Sequence, residues 1–157
     1  MKYTLLTIGK TQTVYLQTGI AEYQKRLSHF LELEVVEVPD LKHASSVSTT
    51  ERSQREGALL LEKYILPKQF VVLLDEAGKE YTSRTFSSWL EKRIAGGQDI
   101  VFVVAGPYGA SDALKARADA TIALSQMTFS HEMVRLFFLE QLYRAIAIIK
   151  HLPYHHD

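Results

Sequence analysis

Apolar residues run without interruption from Ile100 through Ala105 and stop at Gly106 and Pro107. A second run begins at Ala120, continues through Leu124 and passes into small polar residues that end at Ser130. Neither run alternates as a half-exposed strand would, so both predict strands buried on two faces. Residues 70–75 predict another buried strand, followed by a turn over residues 76–79. Residues 2–8, stopped by Gly9, predict a first strand. Leu33, Val35, Val36 and Val38 are interspersed with Glu34 and Glu37, which predicts a strand with a wetter edge or face, ended by Pro39 and Asp40.

Between these strands the apolar spacing turns helical. From Thr13 the apolar positions are Val14, Leu16, Ile20, Ala21 and Leu27. Residues 42–50 are polar and small and read as the longest loop. A helix is expected from about Thr50 to Tyr64, with Leu59, Leu60 and Tyr64 facing in. Gly57 in its middle costs about 1 kcal/mol against alanine, which implies close packing on another element. Thr82 or Ser83 caps the next helix, with Phe86, Trp89, Leu90 and Ile94 inward, and Gly96-Gly97 closes it. Ser111 and Asp112 cap a short helix over residues 113–118. A last helix runs from His131 to Lys150. Strands alternate with helices, so the fold class is α/β with a mostly parallel sheet and helices on both faces. The last helix is apolar on more than one face. It therefore sits deep in the core or buries its second face against another subunit, and a homodimer is expected.

Composition narrows the possibilities. At 157 residues the chain fits one domain with a proper core. It has no cysteine, which removes disulfides and thiolate metal sites and suits a reducing, cytoplasmic setting. The first residues are interrupted too soon for a signal peptide. The apolar stretch 133–149 carries Arg135, Glu140, Gln141 and Arg144, which argues against a membrane span. Eighteen basic and eighteen acidic side chains cancel. A protein that grips bare nucleic acid by its phosphates usually shows a basic excess, and none is visible.

The common nucleotide fingerprints are missing: there is no G-x-G-x-x-G and no Walker A sequence, and Pro107 removes an amide that a phosphate cradle would use. His151, His155 and His156 gather near the end, but Pro153 breaks any helical register between them, and no metal is expected. Gly106 marks a strand end that a ligand can approach. Residues 125–130 form a polar-tipped loop whose backbone suits a flat heterocycle, and Ser130 caps the last helix at its electropositive end. In open α/β sheets ligands sit beyond the carboxyl ends of strands. Taken alone, these residues reach an α/β protein that binds a small ligand.

Five segments go further. They are the strand and turn over residues 73–79, the turn 105–109, the loop 124–131, the helix carrying Val134, Arg135, Glu140, Gln141, Tyr143 and Arg144, and the closing Pro153, Tyr154, His155 and His156. In this order and spacing the chain resembles, over essentially its whole length, the bacterial 23S ribosomal RNA pseudouridine N3-methyltransferases of the SPOUT class. The resemblance implies a single domain over residues 1–157, with a C-terminal trefoil knot and the cofactor site within about 70–157. It implies S-adenosyl-L-methionine as cofactor, lined by Leu74, Gly106, Ser125, Gln126, Met127, Thr128, Phe129 and Ser130. It also implies a homodimer packed through the last helix and methylation of N3 of a pseudouridine in 23S rRNA of assembled ribosomes.

At the nucleobase, His155 is expected as base or orienting group, Tyr154 as a stacking or hydrogen-bonding group, and Arg135 either as a source of charge near the pocket or as one half of a structural pair. The chain departs from the family at His156, where arginine or lysine is common. A tRNA methyltransferase of the same fold and a non-enzymatic ribosome-binding factor are the alternatives.

Overall fold

The computed structural model describes residues 1–41 and 46–157. In chain order its elements are β1 (Lys2–Ile8), α1 (Val14–Ser28), β2 (Glu32–Val38), α2 (Thr49–Lys63), β3 (Phe70–Glu80), α3 (Ser83–Gly96), β4 (Ile100–Val104), α4 (Asp112–Arg117), β5 (Ala120–Ala123) and α5 (Met133–Ile149). The strands form one sheet in the order β2-β1-β4-β3-β5, and every pairing is parallel. The expected mostly parallel sheet is what the chain builds.

Strand geometry sends successive side chains to opposite faces, and each face feeds its own core. Leu5, Val72, Leu74, Phe102 and Val104 meet α1, α3 and α5. Leu6, Val71, Leu73, Val101 and Val103 meet Leu60 of α2 and Leu114 of α4. Both faces of β4 are thus filled, which is why its five residues are all apolar and all buried. β2 is an edge strand, and its exposed positions are Glu32, Glu34 and Glu37.

The last helix owes its many apolar faces to depth. It packs against both α1 and α3 while the Phe138 ring lies tilted against Phe102 of the central strand, with centroids 4.7 Å apart. Capping follows the sequence closely. The Thr82 and Thr85 hydroxyls complete a capping box on α3, and Gly97 ends that helix at φ +68°. Ser111 caps α4, accepting from Leu114 N at 3.1 Å. Gly57 is needed where α2 crosses that cap, because a Cβ there would overlap the Ser111 hydroxyl.

Several expectations shift. The turn over residues 76–79 is instead part of β3. Leu74 and Lys79 both take Ile122 of β5 as partner, so residues 75–78 bulge out of the ladder. β5 itself is only four residues, and the polar half of its apolar run is loop. Val14 and Ala21 do not join the buried face of α1: Leu16, Ile20 and Leu27 define it, and Val14 is 72% exposed. α2 begins one residue earlier than expected, at Thr49, with the Ser48 hydroxyl accepting from Glu51 N. The loop expected over residues 42–50 lies partly outside the described residues.

Candidate functional site

β4, β3 and β5 lie side by side, so the bulge in the carboxyl half of β3 and the segments that follow β4 and β5 converge. These are the bulge 75–78, the turn 106–109 and the loop 124–132. Between them lies a cavity of about 520 Å³, a volume in the range of small-molecule sites. Its floor is apolar, from Leu74, Val104, Ile122 and Val134. Its polar rim comes from Asp75, Glu76, Ser125, Thr128 and Ser130.

Local bonds shape each wall. Gly109 N donates to Gly106 O at 3.0 Å, closing a four-residue turn with Pro107 at its second position, where a fixed φ is favoured. Ser125 Oγ accepts from Met127 N at 3.0 Å, and Thr128 Oγ1 reaches Glu76 Oε2 at 3.3 Å, tying the loop to the bulge. Ser130 Oγ accepts from Met133 N at 3.1 Å. That is the expected capping bond, although regular helix begins only at Met133. Of the sequence-expected cofactor residues, Leu74, Gly106, Ser125, Met127, Thr128, Phe129 and Ser130 line this cavity. Gln126 does not; it is exposed at the loop tip.

The three expected catalytic side chains lie elsewhere in the chain. Arg135 is 0% exposed. Its guanidinium donates to Ile8 O at 2.7 Å, Gly9 O at 2.9 Å, Thr11 Oγ1 at 2.9 Å and His131 O at 3.0 Å, and it pairs with Glu37 at 3.0 Å. Burial draws its pKa down, and the Glu37 carboxylate opposes that shift. With its donors directed at the end of β1, Arg135 clamps structure and does not line the cavity.

Tyr154 and His155 sit on a docked tail. His151 adopts φ +57°, and the Leu152 and His151 amides return to Ala147 O at 2.9 Å and Ile148 O at 3.1 Å. This left-handed helix end turns residues 153–157 back along α5. The Tyr154 hydroxyl meets Glu140 at 2.9 Å and the Tyr23 hydroxyl at 3.0 Å, and its pKa is raised chiefly by burial and then by these bonds. Arg144 Nη1 lies 3.2 Å from His155 Nδ1, and His155 Nε2 lies 3.0 Å from Asp157 Oδ1. Arginine only donates, so Nδ1 is the acceptor and Nε2 carries the proton toward Asp157. Glu140 is six residues beyond Val134, so the tail's anchor is about 9 Å farther along α5 from the cavity.

Sequence reasoning missed one buried carboxylate. Glu56 is 4% exposed, and neither of its oxygens has a hydrogen-bond partner among the described residues. It lies directly beneath the cavity turn: a Cβ on Gly106 would stand 2.5 Å from Glu56 Oε2. Its neighbours are Arg52, whose Nε is 3.7 Å from Oε1, and Asp40. In the sequence it reads as one more charge on a solvated helix face, and no signal marks it as buried. Burial raises its pKa above the ordinary 4.5, with Arg52 opposing and Asp40 adding to the shift.

The folded state therefore holds this proton to higher pH than the unfolded chain does. Stability falls as pH rises from about 4.5 through the raised value, and above it the full cost remains. Glu56→Gln is expected to be more stable than the parent at pH 8, by about 1–3 kcal/mol, with the advantage gone near pH 4. Urea melts at the two pH values test this, and equal stabilities at pH 8 would show that the carboxylate carries no penalty.

Among the described residues no group of histidine, aspartate or glutamate side chains is placed to hold a metal ion. Nor is any described helix long and apolar enough to cross a membrane.

A family model described as "Predicted SPOUT methyltransferase" matches residues 1–155. The chain is 46% identical over 158 residues to the ribosomal RNA large subunit methyltransferase H of Parabacteroides distasonis, covering 100% of both chains. It is 46% identical over 158 residues to the protein of that name from Flavobacterium psychrophilum, again at 100% of both. The Cytophaga hutchinsonii protein of the same name is 46% identical over 159 residues, covering 99% of this chain and 100% of the relative.

Proposed function

Because the chain belongs to the SPOUT methyltransferase family, we propose that it transfers a methyl group from S-adenosyl-L-methionine to N3 of a pseudouridine in 23S ribosomal RNA of assembled ribosomes. The observation that carries this reading is full-length similarity to large-subunit rRNA methyltransferases, joined to a cavity at the strand ends lined by seven of the eight residues expected to meet the cofactor. The C-terminal knot implied by the family brings such loops together, and the whole chain acts as one domain.

The cavity's chemistry suits the cofactor. Leu74, Val104, Ile122 and Met127 offer apolar surface to an adenine ring, and the backbone of residues 125–130 offers donors and acceptors to its edge. Gly106 lets the main chain approach the ligand, a side chain there being barred by Glu56. When bound, S-adenosylmethionine supplies a methyl carbon already made electrophilic by a positive sulfur, so no metal is required. The protein's share is to hold the nucleobase nitrogen in line and to take up its proton.

We assign the nucleobase side to Tyr154 and His155. Arg144 fixes the imidazole tautomer, and Tyr154 presents a ring edge-on to Tyr143 at 4.7 Å. Within one subunit these groups are not part of the cavity lining, so a second copy is assigned to bring them there. Val14 at 72%, Tyr15 at 64% and Phe137 at 43% exposure form apolar surface around the starts of α1 and α5, beside the cavity, which supports a homodimer through this face. A ribosome-sized substrate explains how a neutral chain acts on RNA, since affinity is gathered over a composite surface and not from phosphates alone. Such an enzyme works in the cytoplasm.

Methyl transfer from labelled cofactor is measured on assembled ribosomes, free subunits and bulk tRNA from cells lacking the activity. Label is expected on large-subunit RNA of assembled ribosomes. His155→Ala is expected to lower kcat about 100-fold, the scale of losing a group that orients the reacting base. Label on tRNA moves the target. Cofactor binding without label anywhere makes the chain a binding factor.

A further inference from the structure

We infer that Tyr108 and the groove beside it form a docking site for an unpaired nucleobase of the RNA, next to the one that is methylated. The inference rests on the RNA-methyltransferase reading above. Tyr108 stands at the third position of the turn 106–109 and is 48% exposed. The Arg52 guanidinium sits 5.0 Å from its ring centroid, covering one face and leaving the other for a ligand. Arg52 is itself held at 3.7 Å from both Asp40 and Glu56, and Ser53 Oγ fixes the turn by donating to Gly109 O at 3.1 Å. The ring is thus a braced platform on a pinned turn.

Tyr108 walls two spaces at once. One is the cavity at the strand ends; the other is a groove of about 500 Å³ between α2 and the start of α4. The groove offers the side chains of Thr49, Thr50, Ser53 and Gln54 on one side and Asp112 on the other, with Glu62 at its end. No described lining residue is basic, so a phosphate is disfavoured. Hydroxyls, an amide and an aromatic face instead match an uncharged planar ring with polar edges. Stacking on an exposed aromatic is how proteins hold splayed-out RNA bases. Because the ring is shared with the cavity, the base it holds is a neighbour of the reacting one.

Two measurements test this. A short single-stranded oligoribonucleotide carrying 2-aminopurine is titrated with the full-length protein in the presence of S-adenosylmethionine, and stacking quenches its fluorescence. Tyr108→Phe is expected to quench as the parent does, and Tyr108→Leu to bind about tenfold more weakly. With ribosomes as substrate, Tyr108→Leu raises KM about tenfold at saturating cofactor, and Tyr108→Phe restores it. Equal quenching by the leucine variant overturns the site. So does a loss of cofactor affinity as large as the rise in KM, because Tyr108 would then serve the cofactor. A parent protein that quenches the probe but methylates no ribosomal RNA removes the functional reading and leaves the base-docking site standing.

Discussion

Arg135→Ala is expected to lower global stability by about 3–5 kcal/mol, the scale of breaking a buried charged network from one side. In a chain of 157 residues that corresponds to a fall in Tm of roughly 10 °C. The guanidinium bonds the carbonyls of Ile8 and Gly9, where β1 ends, and the carboxylate of Glu37 on β2. Removing it leaves the three carbonyls of Ile8, Gly9 and His131, the Thr11 hydroxyl and a carboxylate with their partner gone. Arg135→Lys rescues little, because one ammonium cannot span donors fixed in a planar fork. Thermal melts and turnover per folded molecule, measured well below the melt, separate the roles. An alanine variant of parental stability that no longer turns over would place Arg135 in the reaction and refute the clamp.

Gly78→Ala is the second large effect, expected to cost of the order of 3 kcal/mol and to abolish cofactor binding. A Cβ at this position would stand 2.7 Å from the main-chain atoms of Thr121 and Ile122, and main chain cannot swing away as a side-chain tip can. Relief requires the bulge 75–78 to lift off β5. That bulge carries Asp75 and Glu76 on the cavity rim, and Ile122 is part of its floor. Gly96→Ala is the control: it ends α3 with open space around it and is expected to be neutral or slightly stabilising. Urea melts and calorimetric titration with S-adenosylmethionine check both. A Gly78→Ala protein that melts and binds like the parent would mean that the bulge is pliable.

The sheet was legible where burial is two-sided. β3 and β4 announce themselves as apolar runs because helices cover both faces, and β2 announces its wetter edge through Glu34 and Glu37. The bulge was not legible. Residues 76–79 look like a turn, yet Lys79 and Glu80 still pair with Ile122 and Ala123, since ladder bonds come from the backbone whatever the side chain. The cavity walls could be read from Gly106 and from the small polar residues after Leu124, which are local features. Glu56 and Arg135 could not be read. Each has its meaning through partners 50 to 127 positions away, Gly106 for one and Ile8 for the other. Helical spacing shows only that they share a face with their neighbours.

The register of β1 with β4 bears on how the chain is made. Tyr3 pairs with Ile100, and the Lys2 amide bonds Asp99 97 residues away, so the first strand waits for its inner neighbour until two-thirds of the chain exists. Until then a nascent chain carries β1 with one open edge and β3 with no partner from β4 or β5. Parallel pairing over such sequence distances is slow, and open apolar edges invite association between chains. Fragments ending before residue 100 are therefore expected to aggregate and not to fold as a smaller unit. In the growing chain β4 acts as a keystone, arriving late and locking both halves of the sheet at once.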